Sequence, residues 1–246
     1  MLYVFGDSFS HPLDDFEPSN DLRKKYKKYP EFIPIKDNWV NHVSKKLTGS
    51  GFCINNSIAG CANEFIYFNF KQQLPLMKQG DYVIVVLTSS DRRWLIEQHP
   101  DYANWAHSSF EPVESGLTKN ECKAIQQYAK YLYCEEAAGA IYDAILWATI
   151  HAAQELAELG VKLLILPGFI EIPGVVGTLN YASSREFDSQ NTLKKYYKKT
   201  SDNRWNHFSE VNHQILADKV CDFFTDYKPV NLDVGFKSNI YTKDNI

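Results

Sequence analysis

Four short runs of mostly apolar residues constrain what this chain can fold into more than any other feature. They cover residues 2–5, 52–58, 81–87 and 161–166, and each ends near a glycine or a polar turn. The run at 81–87 is the clearest, because it is rich in β-branched residues and apolar on both faces. Strands of this kind are typical of parallel sheets that are covered on both sides. We therefore expect the four runs to be parallel strands.

Segments with helical periodicity lie between these runs. Residues 37–47, 62–78 and 135–159 repeat apolar residues every three or four positions, and a last helix is expected after Ser209 as its N-cap. The predicted inward faces of the 135–159 helix and of the last helix are Ile141, Ile145, Thr149, Ala152, Leu156 and Leu159, and Val211, Ile215, Val220 and Phe224. Strands that alternate with helices predict right-handed βαβ units and a doubly wound α/β sheet.

The length and composition of the chain favour a single large domain. Its 246 residues are 44% apolar and 23% charged, which excludes a disordered chain, a collagen and a simple coiled coil. We expect one domain over residues 1–227, with long insertions at about 9–36 and 168–208, and a polar tail over residues 228–246. Insertions of this length are usually functional or disordered.

Charge, hydropathy and cysteine pattern argue against several classes of protein and of site. A net charge of −4 argues against nucleic acid as a partner. No run approaches the roughly 18 consecutive apolar residues that a membrane span needs. The N-terminus carries no signal-peptide pattern, so we expect an intracellular, cytoplasmic protein. The five cysteines form no close pair, and no histidine–carboxylate cluster has the spacing of a metal site. We therefore expect reduced thiols, no metal and no cofactor.

Polar residues follow three of the predicted strands, at the point where each strand ends. Ser8 lies in GDSFS after the first strand, Gly60 ends NSIAG after the second, and Ser90 lies in TSSD after the third. In the strand order 2-1-3-4-5 these loops converge at one sheet edge, where α/β sheets bind ligands. A hydroxyl nucleophile would then lie between two sources of oxyanion donors. Alternatively, Gly-Asp-Ser is only a turn, in which Asp7 or Ser8 caps a helix.

These motifs resemble those of the SGNH/GDSL hydrolase family. The resemblance rests on GDSFS at residues 6–10, on the N-x-x-x-G of residues 56–60, and on His207-x-Ser209 ahead of the last helix. It extends from residue 3 to about residue 225. It implies a three-layer, flavodoxin-like α/β fold with a mostly parallel five-stranded sheet, and hydrolysis of esters or thioesters.

The resemblance also implies roles for individual residues. Ser8 would be the nucleophile and His207 the general base, while the N–H groups of Ser8 and Gly60 would stabilise the oxyanion. Ser90 stands where the family usually has an asparagine that donates to the oxyanion, so its hydroxyl is the expected third donor. Asp202 lies five residues before the histidine instead of three. Either Asp202 orients the imidazole through a bulged loop, or a backbone carbonyl does so in a catalytic dyad.

Basic and aromatic residues near these motifs predict the kind of substrate. The residues expected to contact it are Asn63, Arg92, Arg93 and Trp205. Arginine binds carboxylate or phosphate groups, and tryptophan stacks on sugar rings. The lysine–tyrosine runs at residues 23–28 and 194–199 would raise the local concentration of an anion, which favours an acylated acidic glycan or another anionic ester. Alternatively, the arginines pair with surface acids, the tryptophan is a core residue, and the basic runs are solvated faces.

The sequence thus predicts a serine esterase or deacylase that hydrolyses an acyl ester through an acyl-serine intermediate. Acyl transfer is a variant of this chemistry, in which a second hydroxyl replaces water. The alternative from a different class is a catalytically weak or inactive binding or structural protein of the same fold, which the serine at position 90 favours. Among the other histidines, His213 falls one turn into the last helix, where a structural or capping role is expected.

Overall fold

Four strands and five α-helices form the described part of the chain. This computed structural model describes residues 1–11, 38–49, 52–58, 60–90, 92, 94, 118–120, 123–124, 127, 135–185, 208 and 210–237. The strands are β1 (Leu2–Phe5), β2 (Ile54–Asn55), β3 (Tyr82–Leu87) and β4 (Lys162–Pro167). The helices are α1 (Trp39–Thr48), α2 (Asn63–Gln73), α3 (Glu135–Glu158), α4 (Leu179–Ser184) and α5 (Glu210–Asp226), and a 3-10 turn, Leu74–Leu76, follows α2.

Contacts divide these elements between two units of the chain. The first unit consists of Met1–His11 and Ile54–Ile170, and the second of Pro12–Cys53 and Glu171–Ile246. The strands, α2 and α3 therefore belong to the first unit, and α1, α4 and α5 to the second. The single domain over residues 1–227 that the sequence pattern indicates stays a prediction.

The first unit is an all-parallel sheet in the order β2-β1-β3-β4. Tyr3 pairs with Ile54 on one side and with Val83 on the other, and Val85 pairs with Ile165. The predicted α/β class and the parallel pairing are confirmed. The described residues hold four strands, one fewer than the five of the prediction. The fifth strand was implied by the family resemblance alone, and none of the four apolar runs corresponds to it.

Helices α2 and α3 pack on this sheet and on each other. Strand β1 is buried along its whole length, and in β3 the residues from Val83 to Leu87 are buried. The core continues into α2, where the ring of Phe70 meets that of Phe5 edge to face at 5.5 Å. Removing such surfaces from water is the main favourable contribution to folding.

Two predicted inward-facing residues are exposed, Leu159 by 61% and Val211 by 46%. Helix α3 ends at Glu158, so Leu159 lies past its last turn and no longer follows the helical spacing. The buried residues of α5 are Asn212, His213, Leu216, Ala217, Val220, Cys221 and Phe224. Val211 lies outside this stripe because two residues of helix correspond to a rotation of roughly 200° from residue 213.

The second unit is built around the packing of α1 on α5. Asn38 caps α1, since its side chain accepts a hydrogen bond from the N–H of Asn41 at 3.0 Å, and Trp39 behind it is fully buried. Residues 228–237, which the sequence assigned to a polar tail, also contribute to this core. Val230 and Leu232 are buried there, and the Leu232 N–H donates to the carbonyl of Val176 at 2.7 Å.

None of the helices in the described ranges has both the length and the hydropathy that a membrane-spanning segment requires.

Candidate functional site

Three loops leave the sheet at the edge formed by the carboxyl ends of its parallel strands. Residues 6–11 follow β1, residues 56–58 and 60–62 follow β2, and residues 88–90 follow β3. Because β1 lies between β2 and β3, its loop is the central one of the three. This edge therefore carries Ser8 in the middle, with Gly60 and Ser90 in the two neighbouring loops.

Asp7 shapes the loop that carries Ser8. Its carbonyl oxygen accepts hydrogen bonds from the N–H groups of Ser10 and His11 at 3.1 and 3.0 Å, which closes a single helical turn. Its carboxylate accepts from the N–H of Phe9 at 3.0 Å, so Asp7 also caps this turn. Ser8 lies in the middle of the turn and is half-buried. Neither its hydroxyl nor its N–H makes a hydrogen bond with any residue that the structure describes.

The start of this loop needs a glycine because the backbone passes close to its neighbours. A Cβ atom on Gly6 would lie 2.3 Å from Ser10 Oγ and 2.7 Å from Val86 Cβ. The hydroxyls of Ser10 and Ser57 are 2.8 Å apart in a buried hydrogen bond, and the Asn55 side chain donates to the carbonyl of Ser10 at 2.7 Å. The loops after β1 and β2 are thus joined by side-chain hydrogen bonds.

The carboxylate of Asp7 is fully buried and binds two side chains from the region after β3. Its Oδ2 accepts hydrogen bonds from Thr88 Oγ1 at 2.6 Å and from Arg92 Nη1 at 2.7 Å. The Arg92 guanidinium also lies over the ring of Phe169, with Cζ 5.3 Å from its centroid. Arg92, predicted to contact a substrate, is therefore the ion-pair partner of Asp7. Its contact with a substrate stays a prediction.

Gly60 lies beside the start of the Ser8 loop and adopts a left-handed backbone conformation. Its φ is +80°, a region that glycine occupies without the strain a side chain brings. The chain before it remains paired with β1, because the N–H of Ile58 donates to the carbonyl of Gly6 at 2.9 Å. Cys61 is buried, and its thiol donates to the same carbonyl at 3.3 Å. Within the described ranges, no acceptor is bound to the N–H of Gly60.

Asn63, the first residue of α2, holds the backbone of the loop after β3. Its amide oxygen accepts from the N–H of Thr88 at 2.7 Å, and its amide nitrogen donates to the carbonyls of Thr88 and Ser89, both at 3.2 Å. The side chain is fully buried, so it has no exposed surface in this structure. Its predicted contact with a substrate stays a prediction. Sequence reasoning missed the structural role, although an asparagine among the apolar residues of a short helix is a signal for one.

The remaining candidate residues divide into two groups. Ser90 is half-buried in the loop after β3, on the same edge as Ser8. Four other candidates lie outside the described residues, namely Arg93, Asp202, Trp205 and His207. Their predicted roles as substrate contacts, orienting acid and general base stay predictions.

His213 has a structural role in the second unit. It is 4% exposed, and its Nδ1 accepts a hydrogen bond from the N–H of Trp39 at 3.2 Å. That N–H belongs to the first residue of α1, one of the donors that a helix leaves unpaired within itself. His213 thus caps α1 from α5, as its position one turn into the helix predicts.

The thiols and carboxylates of the described residues form no metal site. No three His, Cys, Asp or Glu side chains among them are grouped closely enough to hold an ion. Cys53, Cys61 and Cys221 are free thiols, and the last two are buried. Burial raises the pKa of Cys53, and it raises the pKa of Cys221 to about 11, so both are neutral at physiological pH.

Comparisons with known proteins yield a distant structural likeness. No protein-family model and no curated protein matches the chain. The chain is distantly similar to the solved structure of the protein YXIM from Bacillus subtilis, with 12% sequence identity and a TM-score of 0.33. The similarity covers 94% of this chain and 42% of that one, so the chain spans less than half of that protein's length. A likeness this distant assigns neither a family nor an activity.

Proposed function

We propose that this protein is a serine hydrolase that cleaves an acyl ester through an acyl-serine intermediate on Ser8. One observation carries the proposal. The half-buried Ser8 has a hydroxyl and an N–H that bind no described residue, although the adjacent Asp7 accepts hydrogen bonds from three groups that fix the turn. A fixed turn with unpaired groups at the carboxyl edge of a parallel sheet suits the binding of a ligand.

In the proposed reaction, Ser8 Oγ attacks the carbonyl carbon of the ester, and its proton passes to His207. The negative charge that develops on the carbonyl oxygen is stabilised by the N–H groups of Ser8 and Gly60. The bond to the alcohol then breaks, and the alcohol leaves with the proton from His207. Attack by water on the acyl-serine, with the same base, releases the carboxylic acid and restores the serine.

The proposal includes the finer features that the resemblance implies. These are the three-layer, flavodoxin-like arrangement, Asp202 as the orienting acid, and the Ser90 hydroxyl as a further oxyanion donor. The proposed substrate is an anionic or carbohydrate-linked acyl ester, with Arg93 and Trp205 among its contacts. Acyl transfer to a second hydroxyl would use the same intermediate, and only the final acceptor would differ.

A fluorophosphonate probe tests the nucleophile, because it forms a covalent phosphonyl bond with an activated serine and releases fluoride. The folded wild type should be labelled, and peptide mass spectrometry should find the label on Ser8. Ser8→Ala should abolish labelling, while Ser184→Ala, at an exposed hydroxyl in α4, should leave it unchanged. A folded wild type that is not labelled and hydrolyses no p-nitrophenyl ester would overturn the proposal in favour of a binding protein.

Two further variants test the residues that the resemblance assigns to proton transfer. His207→Ala should lower kcat by about 10²- to 10⁴-fold, the usual contribution of a general base, with an unchanged melting temperature. Asp202→Asn should lower kcat strongly if the carboxylate orients the imidazole. A loss no larger than that of an average surface substitution would assign the orienting role to a backbone carbonyl.

A further inference from the structure

A single nitrogen of Arg92 contacts all three loops at the candidate site. Its Nη1 donates to Asp7 Oδ2 at 2.7 Å in the loop after β1, and to Thr88 Oγ1 in the loop after β3. It also lies 3.5 Å from the carbonyl oxygen of Cys61, in the loop after β2. These contacts connect residues that are 85, 4 and 31 positions away from Arg92 in the sequence.

The residues that Arg92 contacts are the immediate neighbours of the proposed catalytic groups. Asp7 directly precedes Ser8, which supplies the nucleophile and one N–H donor. Cys61 directly follows Gly60, which supplies the other donor. A displacement of the guanidinium would therefore change the distance between the attacking oxygen and the oxyanion donors, without contact between Arg92 and a substrate.

The burial of this ion pair supports a role in geometry. The Asp7 side chain is fully buried and that of Arg92 is 14% exposed. A buried ion pair seldom stabilises a fold more than apolar residues of the same volume would, so stability alone gives little reason for one. The hydrogen bonds it makes have defined directions. The guanidinium also lies over the Phe169 ring, with Cζ 5.3 Å from its centroid.

We infer that Arg92 is a positioning residue, which sets the place of Ser8 relative to the N–H of Gly60 through its contacts with Asp7, Thr88 and Cys61. This inference rests on the proposed serine hydrolase activity. It differs from the sequence-based prediction that Arg92 contacts the substrate. A substrate contact would change KM for anionic esters, whereas a positioning role changes kcat for every ester.

The experiment compares Arg92→Gln and Arg92→Lys with Arg185→Gln, a control at an exposed arginine of the second unit. The readouts are the second-order rate of fluorophosphonate labelling, and kcat and KM for p-nitrophenyl acetate and for mono-p-nitrophenyl succinate. Arg92→Gln should lower the labelling rate and both kcat values by about 10- to 100-fold, because small misplacements of reacting groups have effects of this size. Both KM values should stay within about twofold. Arg92→Lys keeps the charge and loses the planar fork, so its melting temperature should recover while its kcat stays low.

Each other outcome has a defined meaning. If Arg92→Gln does not fold, the double variant Asp7→Asn/Arg92→Gln removes the unpaired buried carboxylate, and it should fold and show the same loss of kcat. A folded Arg92 variant with the kcat and labelling rate of the wild type would overturn the inference alone. So would a loss confined to KM for the anionic ester, which would make Arg92 a substrate contact. A wild type without labelling or esterase activity would overturn the proposed function, and this inference with it.

Discussion

The hydrogen bonds of Asn63 lead to a prediction about how the loop after β3 is held. Asn63→Ala removes one acceptor and two donors from a fully buried position. The N–H and carbonyl of Thr88, which is itself buried, then lose the partners that the structure gives them. An unsatisfied buried polar group costs about 1–3 kcal/mol, and the two groups share one residue and relax together. We expect the free energy of unfolding to fall by about 2–4 kcal/mol.

Urea titration followed by circular dichroism measures this change, with the slope against urea concentration as a check that the unfolded state is unaltered. In a chain of this length, the expected loss corresponds to a melting temperature lowered by roughly 5–15 °C. Gln154→Ala is the matched control, because it removes an amide side chain from an exposed position in α3. Its effect should stay within about 0.5 kcal/mol. An Asn63→Ala variant as stable as the control variant would refute the reasoning.

Asn63→Asp should make the stability of the protein depend on pH. The introduced carboxylate could still accept from the Thr88 N–H, but its second oxygen would face two carbonyl oxygens at about the 3.2 Å of the present contacts. Only the protonated acid can donate there, so the folded state binds the proton more tightly than the unfolded state. Stability relative to the wild type should therefore fall as pH rises from about 4 to 7. A deficit that is the same at both pH values would show that the side chain moves out of this position.

Four further predictions concern other parts of the chain. Gly168→Ala should lower the free energy of unfolding by about 1–3 kcal/mol, because its Cβ would lie 2.4 Å from the carbonyl oxygen of Leu87. A Cβ on Gly139 in α3 would have no atom within 4 Å, so Gly139→Ala should raise the free energy of unfolding by about 0.5–1 kcal/mol. Equal changes for Gly168→Ala and Gly139→Ala in urea titrations would contradict the argument. Alkylation of Cys221 by iodoacetamide, followed by peptide mass spectrometry, should be slow at pH 8 and accelerate toward pH 11, since burial raises its pKa to about 11; rapid reaction at pH 8 would contradict this. His213→Asn keeps an acceptor near the first N–H of α1 and should melt at a higher temperature than His213→Leu, which has none; the reverse order would show that the cap is dispensable.

The strands could be predicted because their signal is local. Runs such as residues 2–5 and 81–87 are apolar on both faces, which is the pattern of a parallel sheet buried on both sides. Strand β2 is shorter than its predicted run, 52–58, and only Ile54–Asn55 form regular pairs. The N–H groups of Asn56 and Ile58 still donate to β1 and its loop, so the run continues as a loosely paired edge. The run holds three polar residues, Asn55, Asn56 and Ser57, and is the least apolar of the four.

The orientation of the helices was harder to predict, because it depends on where each helix ends and on what covers it. Helix α3 ends at Glu158, one residue earlier than predicted, and the side chain of Leu159 is exposed to solvent. For α5, the buried stripe includes Asn212 and His213, which a count of apolar residues ignores. Both side chains are buried with hydrogen bonds to distant backbone, at Lys237 and at Trp39. Such partners are set by tertiary contacts, and no periodicity reports them.

The candidate site shows the same division between local and distant signals. The positions of Ser8 and Gly60 at the ends of β1 and β2 follow from strand order and motif. The ion pair of Asp7 with Arg92 spans 85 residues, and no spacing in the sequence links the two. A weaker indication of this pair comes from the position of Asp7. A carboxylate directly after a buried strand needs a hydrogen-bond donor, and the end of the adjacent strand is the nearest place for one.

The distribution of hydrogen bonds at this edge separates the residues that form its frame from those that we propose bind a substrate. Asp7, Asn63 and Thr88 are fully buried and bonded to each other or to nearby backbone, and satisfied networks of this kind hold their members rigidly. The hydroxyl and N–H of Ser8 and the N–H of Gly60, in the two adjacent loops that this frame holds, have no partner among the described residues. An oxyanion that forms only during a reaction would use the two N–H groups, and the rigid frame would keep them in place until it forms.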